Sequence, residues 1–227
     1  MKTYPIFALI DGKPCLVVGG GAVGERKVLD LLAAGAKVTV VSQTLSPYLE
    51  KLAGRGEIRY LEGGFTPDHL NGMALVMGAT NDPRVNAQVS AAAQERGIWV
   101  NIADAPELCT FIVPAQVRRG DLIVAISTGG ASPALARRLR EELERSFGPE
   151  YGPYLALLQE VREGVLAVRR GHQDNAALFL RLVDSPLQEA LAQGDRDRVG
   201  HILEEVLGEI IPLSVLADLV DKAFSNQ

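Results

Sequence analysis

Three glycines near the start of the chain have the spacing of a phosphate-binding turn. Gly19, Gly21 and Gly24 fit the pattern G-x-G-x-x-G between a predicted strand, Leu16–Val18, and a predicted helix that extends to about Ala34. In this pattern the first glycine permits a tight turn, the second admits a pyrophosphate, and the third lets the helix pack closely on the strand. The start of the helix would then face the phosphates. The spacing predicts a dinucleotide site, and a purely structural turn is the alternative.

Two further stretches lie where a ligand would bind. Asp104 is in the loop after a predicted strand that ends at Asn101, at the edge where open α/β sheets bind ligands. The alternative is an aspartate that only forms the turn. Ser127–Pro133 is rich in hydroxyls and glycines and precedes a helix, with Ser132 as N-cap and Pro133 as first residue. This helix start suits an anion, or it is a plain capped turn.

The elements that must position these residues alternate between strand and helix. This alternation predicts an α/β fold with a Rossmann-like doubly wound parallel sheet and right-handed crossovers. Ile6–Ile10 is expected to add an edge strand or hairpin before the series. The predicted strands are Leu16–Val18, Val38–Val41, Ile58–Tyr60, Leu75–Gly78 and Ile98–Asn101. The glycine turn therefore follows the first strand of a βαβ series, which favours the dinucleotide interpretation.

The pattern changes after the fifth predicted strand. Phe111–Val113 and Leu122–Ile126 predict two strands of a hairpin, followed by a helix from Pro133 to about Phe147. The remainder predicts helices with breaks near Gly171, Asp184 and Gly194. We therefore expect a Rossmann-like domain over residues 1–113, a small α+β unit over 114–147 and a helical domain over 148–227.

The residues expected to hold the ribose are unusual. An acidic residue should end the second strand roughly 20 residues after the glycines. The chain has Val41, Ser42, Gln43 and Thr44 there, and no arginine follows to receive a 2′-phosphate. Ser42, Gln43 or Thr44 could hydrogen-bond a ribose, so this turn leaves the choice between NAD and NADP open.

Composition limits the partners and the compartment. The 227 residues carry a net charge of −5, with a calculated pI near 5.3, which argues against nucleic acid or an anionic membrane as a partner. We expect a cytoplasmic protein because Cys15 and Cys109 form no pair, no signal peptide is evident, and no apolar run approaches the roughly 20 residues that span a bilayer. His69, His172 and His201 are scattered, so no metal site is expected.

At this point the chain resembles the precorrin-2 dehydrogenase/sirohydrochlorin ferrochelatase family, which also forms the N-terminal module of siroheme synthases. The matching residues cover about residues 4–147 in order and at family spacing. They are Pro5–Phe7, Val17–Gly21 with Glu25–Lys27, Ala79–Asp82, Asn101 with Asp104–Pro106, Phe111–Ala115 and Ser127–Pro133.

The resemblance implies oxidation of precorrin-2 to sirohydrochlorin with NAD⁺ and, in some members, insertion of Fe²⁺ to make sirohaem. It implies a homodimer in which the central hairpin-and-helix unit, residues 114–147, forms the interface, with the tetrapyrrole cleft between subunits. The family's catalytic aspartate falls on Asp104, and its NAD contacts fall on Ala22, Val23, Gln43 and Thr44.

A substrate with many carboxylates requires cationic or N–H-rich partners. Ser127, Thr128 and Gly129, together with Arg137 or the neighbouring Arg138, are our candidates for binding it. In trifunctional relatives a serine that can be phosphorylated stands at the position of Thr128, so any regulation there is open. A chelatase without dehydrogenase activity and a regulatory protein that binds NAD(H) without catalysis are the alternatives.

Overall fold

The computed structural model describes residues 2–225, and it divides into two compact units. The first unit spans Tyr4–Val113, and the second contains Pro114 and the described residues after it. The predicted division into three parts, with boundaries after residues 113 and 147, remains a proposal. The two units are described separately below.

The first unit is built on a parallel sheet. Its strands are β1 (Pro14–Val18), β2 (Lys37–Ser42), β3 (Arg59–Glu62), β4 (Leu75–Gly78) and β5 (Trp99–Ile102), and its helices are α1 (Ala22–Leu32), α2 (Pro47–Gly54) and α3 (Pro83–Glu95). The strand order is β3-β2-β1-β4-β5, so β1 pairs with β2 on one side and with β4 on the other. This is the predicted Rossmann-like architecture, and the junction of β1 and β4 is its topological switch point.

The sheet is buried on both faces because helices cover both. Side chains alternate along β1: Cys15 and Val17 belong to the core that includes α1 and α2, whereas Leu16 and Val18 belong to the core that includes α3. Cys15 is completely buried, and burial raises the pKa of its thiol to about 11. The continuous apolar runs in the sequence follow from this two-sided burial.

Two predicted strands of the first unit are wrong. Ile6–Ile10 forms no strand, since no strand of the described chain pairs with it, and Ile6, Phe7 and Leu9 are exposed. Phe111–Val113 is irregular, and the Phe111 carbonyl accepts a hydrogen bond from Asn101 Nδ2 (3.0 Å) instead of from a neighbouring strand. Strand-like composition without a hydrogen-bonding partner does not make a strand.

The second unit begins with the predicted hairpin, shifted along the chain. Its strands are β6 (Ala115–Arg119) and β7 (Leu122–Ile126), which pair antiparallel. The second strand has the predicted bounds, whereas the first begins four residues after Phe111, where its prediction began, and includes Arg118 and Arg119. Helix α4 (Pro133–Ser146) follows, as predicted, but it has no buried residue.

The rest of the second unit is helical. The helices are α5 (Tyr151–Val168), α6 (Asn175–Val183), α7 (Leu187–Ala192), α8 (Arg196–Leu207) and α9 (Leu213–Ser225). They surround one apolar core in which Val161, Leu182, Leu203 and other side chains are fully buried. The three predicted breaks are confirmed, and a fourth, between α8 and α9, was not predicted. Between residues 2 and 225 no helix combines the length and apolarity needed to cross a bilayer.

Candidate functional site

The turn between β1 and α1 depends on close backbone contacts. Gly19 has φ of +116°, and a Cβ atom there would lie 2.4 Å from the Ala79 carbonyl oxygen. A Cβ atom at Gly24 would lie 2.1 Å from the Gly19 carbonyl oxygen. Both distances are far inside van der Waals contact, so a larger residue would push α1 away from the sheet. These two glycines therefore allow the close packing that the sequence motif predicts.

A pocket of about 670 Å³ lies at the carboxyl ends of β1, β2 and β4. Its walls are the glycine turn (residues 18–23), the end of β2 (41–44), the turn after β3 (63–65) and the turn after β4 (79–82), with Val85 from α3. The pocket therefore opens at the topological switch point, where doubly wound folds bind their ligands. Its volume is within the range of small-molecule sites.

Most of the predicted cofactor residues line this pocket. The lining includes Gly19, Gly21, Ala22, Val23, Gln43 and Thr44. Gly24 does not line it, because its role is the packing of α1 against the turn. Sequence reasoning missed Gly63, Gly64 and Phe65, although a glycine pair three residues after the end of a predicted strand was an available signal.

The start of α1 leaves room for an anion in the pocket. Its N-cap is Gly21, which has no side chain to bond the first N–H groups, and Ala22 and Val23 line the pocket. A Cβ atom at Gly21 would meet nothing within 4 Å, so open space lies in front of this helix end. Free N–H groups and the helix dipole favour negative charge here. These residues fit the pyrophosphate of a nicotinamide dinucleotide.

The end of β2 offers hydroxyl and amide groups. Ser42 Oγ accepts a hydrogen bond from the Gly20 N–H (3.0 Å), so this hydroxyl supports the glycine turn. Gln43 and Thr44 are exposed at the pocket. Neither a lysine nor an arginine contributes to the pocket wall within the described part of the chain, and Asp82 is its acidic residue. Hydrogen bonds with Arg84 lower the pKa of the Asp82 carboxyl.

The turn after β4 is held by a buried amide. Asn86, which is 8% exposed, accepts a hydrogen bond from Thr80 Oγ1 (2.8 Å) and donates one to the Thr80 carbonyl (3.0 Å). Asp82 caps α3 by accepting from the Arg84 N–H (2.8 Å). These contacts give the Ala79–Asp82 rim of the pocket a fixed shape. Asn86 was not identified from the sequence.

Asp104 stands out in the loop after β5. It is the non-glycine residue with positive φ (+59°) among residues 2–225, and it is exposed. Aspartate tolerates this left-handed conformation better than most residues, because its short side chain can bond locally. Asp104 is not part of the pocket wall, so the pocket and this carboxylate are separate features of the first unit.

The Asp104 loop is closed by the thiol of Cys109. Its Sγ accepts a hydrogen bond from the Ile102 N–H (3.1 Å) and lies within hydrogen-bond distance of the carbonyls of Ile102 (3.4 Å) and Ala105 (3.3 Å). The thiol thus contacts backbone groups on both sides of Asp104. Asn101 Nδ2 reaches the same sulfur (3.6 Å). The sequence contained no signal for this function of Cys109.

The other predicted site residues belong to the second unit. Gly129 N–H donates to Ser127 Oγ (3.1 Å), and Thr128 Oγ1 both donates to the Ser132 carbonyl (3.1 Å) and accepts from its N–H (3.2 Å). Ser132 Oγ caps α4 by accepting from the Leu135 N–H (3.2 Å), as predicted. The turn is therefore internally bonded.

Arg137 is on the exposed side of α4. Its Nε donates to Glu141 Oε1 (2.9 Å), one turn along the helix. The hydrogen bond with Glu141 raises the pKa of the Arg137 guanidinium. Like any arginine, it is a cation at neutral pH. Its side chain is 78% exposed, which leaves most of its donors open to a ligand.

The described residues contain no group of three or more histidine, cysteine, aspartate or glutamate side chains placed to hold a metal ion. His69 Nδ1 accepts from the Thr66 N–H (3.1 Å) and so supports a short turn. His172 contacts Arg169 and Asp174 on the surface of the second unit.

Two family models match successive parts of the chain, the first over the glycine turn and the second after it. Residues 6–115 match a family model described as NAD(P)-binding. Residues 119–146 match a model described as the central part of sirohaem biosynthesis proteins. The pocket and the Asp104 loop fall in the first match, and β7 with α4 falls in the second.

Individual relatives agree with these matches. The chain is 44% identical over 207 residues to a siroheme synthase of Methylobacillus flagellatus, which covers 91% of this chain and 44% of that protein. It is 41% identical over 210 residues to siroheme synthase 1 of Aeromonas salmonicida, covering 92% and 45%. The chain thus spans less than half the length of these relatives.

One solved structure is similar along its length. It is SirC, a precorrin-2 dehydrogenase, with a TM-score of 0.75 and 27% sequence identity. The match covers 90% of this chain and 98% of that one.

Proposed function

This chain belongs to the family of precorrin-2 dehydrogenases and siroheme synthases, and on that basis we propose that it oxidises precorrin-2 to sirohydrochlorin. The reaction transfers a hydride to NAD⁺ and releases a proton. The observation that carries the proposal is the pocket at the uncapped start of α1, in a chain that matches 98% of a precorrin-2 dehydrogenase. The bound nicotinamide would supply the carbon that accepts the hydride.

The cofactor residues act through backbone and small side chains. Gly19 and Gly24 shape the turn, and Gly21, Ala22 and Val23 present the start of α1 to the pyrophosphate. Gln43 and Thr44 would bond the ribose. We favour NAD over NADP because the wall that the described residues form has no cation to pair with a 2′-phosphate.

Asp104 is our candidate for the base that removes the proton. A carboxylate accepts a proton without redox chemistry of its own, and Asp104 is exposed on a loop whose shape Cys109 maintains. The positive φ of Asp104 is a strained backbone conformation for a residue with a side chain, and strained residues of this kind often occur in functional loops. In this role Asp104 must lie against the macrocycle edge when the substrate is bound.

The second unit would contribute to substrate binding and assembly. Ser127, Thr128 and Gly129 would exchange hydrogen bonds within their turn for bonds to the substrate. Arg137 supplies an exposed cation for a tetrapyrrole carboxylate. Helix α4 buries none of its residues and leaves Leu135 48% exposed. An amphipathic helix without its own core is typical of an interface, so we propose that α4 and the hairpin form a homodimer.

The test is direct. Purified protein with NAD⁺ and precorrin-2 should generate NADH absorbance together with the spectrum of sirohydrochlorin. Asp104→Asn should lower turnover by about 10²–10⁴-fold because it removes the base. Its affinity for NAD⁺, measured by titration without substrate, should stay unchanged because Asp104 is not in the pocket wall.

Two outcomes would change the proposal. If intact protein binds NAD⁺ but forms no NADH with authentic substrate, it is a nucleotide-binding regulator. If Asp104→Asn retains full turnover, another group is the base.

Iron insertion is a second candidate activity, favoured by the name siroheme synthase of the relatives in this region. Fe²⁺ would be a substrate, and Asp104 could accept the protons that leave the pyrrole nitrogens. Adding Fe²⁺ to the sirohydrochlorin product should give the sirohaem spectrum faster than a protein-free control. We also propose a cytoplasmic location, because Cys15 and Cys109 are free thiols.

A further inference from the structure

Ser90 is a buried serine of α3 whose hydroxyl bonds outside its own helix. Only 1% of this residue is exposed, and its Oγ donates a hydrogen bond of 2.7 Å to the Leu108 carbonyl in the loop after β5. The same oxygen accepts a hydrogen bond from Gln94 Nε2 (2.9 Å). The single proton of the hydroxyl is therefore directed at the loop that carries Asp104.

The residues around Ser90 indicate that its hydroxyl, and not its packing, explains the serine. The three positions that follow it, 91–93, are alanines, and Ala92 and Ala93 are buried on the same helix. Alanine has a higher helix propensity than serine and buries no polar atom. A helical serine commonly bonds a carbonyl of the preceding turn, whereas Ser90 bonds a carbonyl 18 residues away. Alanine would therefore stabilise α3 more than serine does, unless the bond to Leu108 has a function.

The loop needs supports because of the backbone of Asp104. A non-glycine residue with positive φ is strained, and it keeps that conformation only where the surrounding contacts hold it. On one side of Asp104, the Ala103 N–H donates to the Gly78 carbonyl at the end of β4 (2.8 Å). On the other side, the Leu108 N–H donates to the Ala105 carbonyl (3.0 Å). The hydroxyl bond to the Leu108 carbonyl anchors this second side of the loop to α3.

The same side of α3 also supports the cofactor pocket. Asn86 lies one turn before Ser90 and is buried as well, and its amide bonds Thr80 in the pocket rim. Residues four positions apart in a helix lie on the same side of it. One helix of the first unit thus carries two buried polar side chains, of which one holds the pocket rim and the other holds the Asp104 loop. The helix therefore fixes the distance between the rim and the loop.

We infer that Ser90 is a positioning residue for Asp104, which it holds at a fixed distance from the cofactor pocket through the Leu108 carbonyl. This inference rests on the proposed function, in which Asp104 is the base and the nicotinamide accepts the hydride. A base and a hydride acceptor must both reach the same substrate, and a misplacement of about 1 Å lowers a rate by roughly 100-fold. Because Ser90 is buried, it acts through the loop and not by contact with the substrate.

The experiment compares Ser90→Ala with Ser185→Ala in the full chain, with NADH formation from precorrin-2 as the measurement. Ser185 is the matched control, because its Oγ also donates a 2.7 Å bond to a leucine carbonyl, that of Leu182 in the second unit. We expect Ser90→Ala to lower kcat about tenfold and to change KM and the Kd for NAD⁺ less than about twofold. Ser185→Ala should keep kcat within about twofold of the parent value. Unchanged kcat in Ser90→Ala, or an equal loss in both variants, would overturn the inference.

A second comparison shows whether Ser90 acts through Asp104. In an Asp104→Asn background the carboxylate that is positioned is absent, so adding Ser90→Ala should lower kcat less than about twofold further. A further tenfold loss would mean that Ser90 affects turnover by another route, and the inference would be wrong. If Ser90→Ala does not fold, Ser90→Cys replaces it, because its thiol is a weaker donor of similar size and should also lower kcat. If neither variant folds, the hydroxyl is structural and the inference fails.

Hydrogen exchange tests the loop without turnover. In Ser90→Ala the amides of Ala105, Leu108 and Cys109 should exchange about tenfold faster than in the parent protein, because the loop has lost its anchor on α3. The amides of the glycine turn, residues 19–24, should keep their parent rates. Unchanged exchange of the loop would overturn the inference even if the enzyme forms NADH. If the parent protein forms no NADH, the proposed oxidation fails, while faster exchange confined to the loop would still support the positioning of Asp104 by Ser90.

Discussion

Helices α1 and α4 both start after glycine-rich turns, but they treat their first N–H groups and their apolar faces differently. The N-cap of α1 is Gly21, which provides no side-chain bond, whereas the N-cap of α4 is Ser132, which bonds the Leu135 N–H. Helix α1 buries Val28 and Leu31 against the sheet, and α4 buries nothing. Similar sequence patterns thus give different results. In the first unit the helix start has no side-chain cap and faces a pocket, whereas in the second unit the helix is capped by its own serine and buries no residue.

The glycines explain part of this difference. In the α1 turn, the backbone of Ala79 and of Gly19 itself occupies the space that a Cβ atom at Gly19 or Gly24 would need. Before α4, Gly130 has positive φ (+84°), but a Cβ atom there would meet nothing within 4 Å. Gly19 and Gly24 are therefore needed for close packing around the pocket, whereas Gly130 is needed only for the backbone conformation of its turn. Glycine content alone does not identify a binding turn.

The largest expected effect separates packing from binding within the α1 turn. Gly24→Ala should lower the free energy of unfolding of the first unit by about 3 kcal/mol or more, because its Cβ would clash with the Gly19 carbonyl. Gly21→Ala should leave stability within about 1 kcal/mol, since its Cβ enters open space, yet reduce NAD⁺ affinity at least about tenfold. Urea unfolding and NAD⁺ titration measure the two effects. Equal losses of stability would contradict the comparison.

A second prediction tests the uncovered face of α4. Leu135→Glu should weaken self-association by about a hundredfold, because it places a charge in the proposed dimer interface. The matched control is Leu29→Glu on α1, where the leucine is 38% exposed and no interface is proposed. Sedimentation at several concentrations measures the association. If both variants associate like the parent protein, α4 is a solvated surface.

The smallest expected effect concerns Arg137. Its removal in Arg137→Ala should cost no more than about 0.5 kcal/mol of stability, because the Glu141 pair is exposed. It should raise the KM for precorrin-2 severalfold if Arg137 binds a carboxylate. Arg138→Ala is the control, because Arg138 pairs with Glu142 in the same geometry (3.0 Å) and is equally exposed. A KM effect of Arg138→Ala alone would move the assignment to Arg138.

Much of the first unit could be predicted because its signals are local. The buried strands are short apolar runs, and the starts of α2 and α3 each have a capping residue followed by proline. The failures share a cause. Ile6–Ile10 and Phe111–Val113 have strand composition, but a strand also needs a neighbour with free backbone groups. Composition contains no information about that neighbour.

The residues of the candidate site also fall into those that the sequence identified and those that it did not. The glycine turn, Gln43, Thr44 and Asp104 were identified because their residue types are tied to chemistry or to the family pattern. Gly63–Phe65, Asn86 and Cys109 were missed because their functions arise from contacts that exist only once the turns around them are folded. A cysteine that closes a loop around Asp104 looks like any small apolar residue until the loop is folded.

The sequence by itself determined the order of strands and helices and the position of the phosphate-binding turn, because hydrophobic period, capping residues and glycine spacing are properties of neighbouring residues. It also determined the family, through motifs in a fixed order. Only the tertiary structure decided which glycines are crowded, which helix start stays uncapped in a pocket, and that Lys27 of α1 is buried. Those properties depend on the packing of α1 against the sheet, and packing is settled only when distant segments meet.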